Sequence, residues 1–181
     1  MKITLTYFIL ATATLFAGEV SKNLRKDSPD GAFKVSLIKV GETNTRRLEI
    51  ADKNGKAVFT SGLQIDGTDV LDFYADHLLW SPDSKILAIS AGYPKLFRTY
   101  LFAWDGKGFQ HITMPNIAAG EDNPWIYPTE WSENHILQLK ISGPHAGQAL
   151  VSGYDGTAVV QVDLQAKTSR RISEKVERNN P

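Results

Sequence analysis

Apolar and polar positions alternate in short runs along most of the chain. In residues 136–141, Leu137, Leu139 and Ile141 alternate with Gln138 and Lys140, the period of two expected of a strand with one buried face. Apolar or alternating runs also occupy 33–40 and 86–90, and all three runs follow a similar polar mark: Ser28-Pro29-Asp30-Gly31, Trp80-Ser81-Pro82-Asp83-Ser84 and Trp131-Ser132-Glu133-Asn134-His135. The serines of these marks stand at 28, 81 and 132, spacings of 53 and 51 residues. Pro presets the backbone angle of a turn, and Asp and Gly suit the bend that follows.

A second mark recurs at the same period: Asn54-Gly55, Asp105-Gly106 and Asp155-Gly156. These pairs are preferred in two-residue hairpins, where both central residues need positive φ. Their flanks read as strands at 47–51 and 57–60, 99–104 and 109–113, and 149–153 and 158–164. The pattern predicts one all-β domain, 18–173, of three antiparallel four-stranded units at about 24–68, 69–116 and 117–173. The third unit admits a second register, with its last hairpin at 159–172, its turn at 165–168 and an insertion at 143–156. Residues 174–181, rich in charge, read as a flexible tail.

The amino terminus departs from this pattern. Lys2 precedes 15 uncharged residues, 3–17, too few to cross a bilayer but suited to a signal peptide. Residues 1–17 are thus expected to form a signal helix removed after Ala17 or Gly18, leaving no stable membrane span and an exported chain, periplasmic or secreted. Charge adds an exclusion: 20 basic and 20 acidic residues give no net field, which speaks against nucleic acid as partner. With no Cys there is no disulfide framework, thiolate nucleophile or Cys-based metal site.

The run Trp80-Ser81-Pro82-Asp83-Ser84-Lys85, the apolar Leu87-Ala88-Ile89 and the hairpin Trp104-Asp105-Gly106 resemble the WD40-like (PD40) repeats of the TolB-type β-propeller family. The first unit keeps Ser28-Pro29-Asp30-Gly31 without a preceding Trp, and the third has Glu133-Asn134 in place of Pro-Asp. The resemblance implies a partial β-propeller and says little of activity. Propellers ordinarily hold about four to eight blades. Three units leave an open stack, a six-bladed ring completed by a homodimer, or a β-sandwich; Lys22, Arg25 and Lys26 would supply a charged cap on one edge.

Chemistry-bearing motifs are sparse. His77, His111, His135 and His145 form no close ligand pair; Asp72, Asp76 and His77 are a local polar cluster that reads as a solvated edge rather than a metal site. There is no G-x-S-x-G elbow and no phosphate-binding glycine pattern. The most distinctive stretch is 114–128, a fifteen-residue loop in which Trp125 and Tyr127, between Pro124 and Pro128, either anchor a partner or cover a sheet edge. His145, in a Gly-Pro-His-Ala-Gly run, is a further candidate contact. Trp80 and Trp131 read as core. The expectation is an exported, non-catalytic binding or assembly module of the cell envelope, with no cofactor or metal and with a protein or glycan partner. The alternative is a small hydrolase or carbohydrate-active protein using carboxylates at the loop end of the sheets, where Asp66, Asp69, Asp72, Asp76, Glu121, Asp122 and Glu130 supply candidates.

Overall fold

The computed structural model describes residues 25–39, 46–62, 64–65, 68–69, 72–93, 96–121, 123–133, 135–144 and 153–178. The expected signal segment and His145 lie outside the described residues. The chain is all-β: β1 (Arg25–Asp27), β2 (Phe33–Lys39), β3 (Arg46–Asp52), β4 (Ala57–Gly62), β5 (Gln64–Ile65), β6 (Thr68–Asp69), β7 (Asp72–Trp80), β8 (Ile86–Tyr93), β9 (Leu96–Trp104), β10 (Phe109–Ile112), β11 (Trp125–Glu133), β12 (Ile136–Pro144), β13 (Gly153–Asp163) and β14 (Thr168–Arg178). No helix among the described residues is long and apolar enough to cross a membrane.

β1 to β4 form one antiparallel meander. β7 to β10 form a second and β11 to β14 a third. The second and third are joined into one sheet where β11 meets β9 in parallel at Trp125 and Phe97. The two faces of the middle meander contribute to separate cores. Val35, Leu37, Leu48 and Ile50 of the first meander share a core with Leu87, Ile89 and Phe102 of the second. The opposite face of the second, Ile86, Ala88, Leu101 and Ala103, shares another core with Leu137, Leu139, Ile141 and Val160 of the third. The middle meander is buried on both sides, which is why β8 reads as an unbroken apolar run rather than an alternating one.

The first two serine marks are turns of one geometry, and the third shares with them a positive φ at its fourth position. Ser28 Oγ donates to Asp30 Oδ1 (2.7 Å) and accepts from the Phe33 amide (2.9 Å), while Asp30 Oδ1 accepts from the Ala32 amide (2.9 Å). Ser81, Asp83, Lys85 and Ile86 repeat these bonds at 2.6, 3.2 and 2.9 Å. The fourth position of each mark has positive φ: Gly31 at 68°, Ser84 at 60° and His135 at 69°. That residue reaches the previous turn. Ser84 Oγ accepts from the Asp30 amide (3.1 Å), and His135 Nε2 bonds Asp83 Oδ2 (3.0 Å). The Trp ahead of each mark likewise packs toward the meander before it: Trp80 stacks on Phe33 with centroids 6.1 Å apart, and Trp131 lies against the second core. The first mark carries Asp27 instead of Trp.

Two expectations are corrected. Asp155-Gly156 is not a hairpin turn; it lies within β13, and the last hairpin turns at residues 164–167, where Asp163 Oδ1 accepts the Gln165 and Ala166 amides at 2.9 Å each. The second register of the third unit is the one adopted. Gly156 is required for another reason: a Cβ there would meet the Lys175 carbonyl and lie 3.0 Å from Val176 Cα. The supposed tail is also ordered into β14 as far as Arg178, paired with β13 through Tyr154.

Candidate functional site

The stretch 114–128 is two things rather than one loop. Its last residues open β11, and only what precedes them connects β10 to β11. Both strands use the same edge of β9. β10 pairs with its second half, Leu101 to Trp104, whereas β11 meets it at Phe97. The sheet therefore forks along β9, and the connection crosses the fork.

Trp125 and Tyr127 project to one face of β11 and Ile126 to the other, as strand alternation requires. Tyr127 stacks on His77 with centroids 4.3 Å apart and lies 5.9 Å from the Phe97 ring; Trp125 meets Phe97 edge-on at 6.4 Å. The two rings are half-buried and cover the sheet where β9 and β11 join, with Trp125 Nε1 buried and unbonded among the described residues. His77 thus belongs to this aromatic layer, and the described residues contain no group of three potential metal ligands.

On the fork lies a cavity of about 320 Å³. It is lined by Ile126, by Tyr100 and His111, and by Met114, Pro115 and Ile117 of the connection. Thr99 is buried and spends its hydroxyl on the Ile126 carbonyl (2.9 Å), which also accepts from Ser90 Oγ (3.1 Å). Arg98 stands at the cavity, exposed, with no ion pair among the described residues. His111 is exposed by surface area, and partial desolvation by its neighbours lowers its pKa from the ordinary 6.5.

The connection is held from β14. Ser169 Oγ donates to the Thr113 carbonyl (2.6 Å), Arg171 Nη1 to the Asn116 carbonyl (3.2 Å), and the Ala118 amide to Glu174 Oε1 (2.9 Å). Glu121 accepts from Arg178 at 3.0 Å. Nothing in the chain pattern announced this cavity, because it depends on two strands sharing one edge and on a strand that reads as a polar tail. Glu121 and Glu174 are held by arginines, and no carboxylate is among the described residues lining the cavity.

No protein-family profile matches the chain, and a search of curated proteins finds no match. Among solved structures, the AtxE2 isopeptidase in its apo form is similar at a TM-score of 0.45 and 16% identity, over 83% of this chain and 29% of that one. The chain thus spans less than a third of the isopeptidase's length, and a likeness so distant transfers no activity.

Proposed function

We propose that the chain is an exported binding or assembly module of the cell envelope, built as three propeller-like units and resembling PD40 repeats of the TolB type. What carries the reading is the cavity at the β9 fork: a preformed hollow, mostly apolar, with a few converging polar groups, the usual form of a small binding site. The repeated turns support the propeller-like part, since each bonds to the turn before it and so fixes one unit against the next. A hydrolase of two carboxylates would need them facing one another in a concave site, and the fork offers a cation instead.

The test is made in cells that express the full chain. Export predicts a processed form that begins at Gly18 or Glu19 and fractionates with the envelope. A photo-crosslinking residue at Asn116 is expected to give one discrete adduct that the same residue at Lys140, on the outer face of β12, does not give. An unprocessed cytosolic chain, or identical adducts at both positions, would overturn the proposal.

A further inference from the structure

We infer that the fork cavity receives a small organic carboxylate with an apolar body, its anionic end met by Arg98. This rests on the binding reading above and names the chemistry of its ligand. The volume, about 320 Å³, is at the small end of ligand sites, room for a ring or short chain rather than a polymer. Met114, Pro115, Ile117 and Ile126 offer hydrocarbon, so the body of the ligand gains by leaving water.

Charge sets the other end. Arg98 is the one lining residue with a full charge among those described, and its planar guanidinium suits a carboxylate in a two-bond fork. Two acids of the described residues around the connection are already engaged, Glu121 by Arg178, and Glu174 by Arg171 and the Ala118 amide. One guanidinium suits a monoanion better than a dianion such as a phosphate. An amine would find no carboxylate among the described lining residues. The connection is pinned by three bonds from β14, so the site exists before the ligand arrives and binding does not have to order it.

The probe is 3-phenylpropanoate, with 3-phenylpropanamide and 3-phenylpropylamine as its neutral and cationic counterparts, titrated into the purified ¹⁵N-labelled protein and followed by amide shifts. Shifts confined to residues near 98–100, 111 and 114–117 are expected for the carboxylate, with the amide about tenfold weaker and the amine silent. Arg98→Gln, an exposed change that leaves the cores intact, should weaken the carboxylate about tenfold and leave the amide within about twofold. Equal binding of acid and amide, or an unchanged R98Q protein, overturns the inference, as does the absence of any localised shift at millimolar probe. If those results come with a retained Asn116 adduct, the ligand chemistry has failed and the binding module has not; loss of the adduct removes the module itself.

Discussion

Asp30 and Asp83 do the same work in successive turns, and their titration reports it. At Asp30 the Ala32 amide, then the Ser28 hydroxyl, stabilise the ionised carboxyl and hold its pKa below the ordinary 3.8. At Asp83 burial is the largest single influence and pushes upward, but the Ser81 hydroxyl, His135 and the Lys85 amide together outweigh it, and the value is again lowered. A carboxyl that ionises more readily folded than unfolded adds stability that is complete above 3.8 and lost as the pH falls through the lower folded value. The thermal midpoint should therefore drop as the pH is taken from about 5 to about 3, followed by circular dichroism. The double variant D30N/D83N should start lower at neutral pH and drop less, with D83N alone costing about 1 kcal/mol. An acid limb as steep as wild type would exclude these turns as its source. The Ser-x-Asp pattern was legible at this scale because both bonding partners lie within five residues of each other. The link from His135 to Asp83 was not, since it joins residues 52 apart and the third mark had lost its Pro-Asp.

Among the elements, most strands follow the alternation read from the chain, and the one misplaced hairpin shows where pattern stops being sufficient. Asp-Gly suits a turn and suits equally any place where backbones crowd, and only the pairing of β13 with β14 distinguishes the two uses. Substitution by Asn separates them, because Asn tolerates positive φ but has a Cβ. Gly106, at φ 94° in open space, should accept Asn with little loss. Gly156→Asn should cost about 1–3 kcal/mol by forcing β14 away, measured as a shift in urea midpoint. Equal effects at both glycines would restore the turn reading. β14 itself was hidden by composition: its charges read as a tail, yet they sit on an edge strand, where charge discourages pairing with other chains. The cavity at the fork was hidden with it, since Ser169, Arg171 and Glu174 fasten the connection from that strand.

Taken together, the described residues put their apolar surface inside two cores and leave polar faces outermost. Lys34, Arg47 and Thr60 lie exposed on the first meander, and Lys140 and Thr157 on the third. Ile172, 51% exposed, is the one large exposed apolar side chain noted among the described residues. A third blade in a closed ring would instead need an apolar outer face to receive a fourth. Light scattering after size exclusion should accordingly return the monomer mass across a wide range of concentrations, and a stable dimer would revive the six-bladed ring. The number of units was readable from the period of the marks, but the polarity of the outer faces became visible only once each alternating position had been assigned a side.

The two cores also have an order in time. The first is made from residues up to Phe109, while the second draws on the far side of the same middle sheet and on strands that follow. A chain delivered amino terminus first, from ribosome or translocon, therefore completes a two-layered body before β11 has emerged. That body carries Ile86, Ala88, Leu101 and Ala103 bare to solvent, an apolar template on which the third unit condenses and, until it does, the most adhesive surface the protein ever shows.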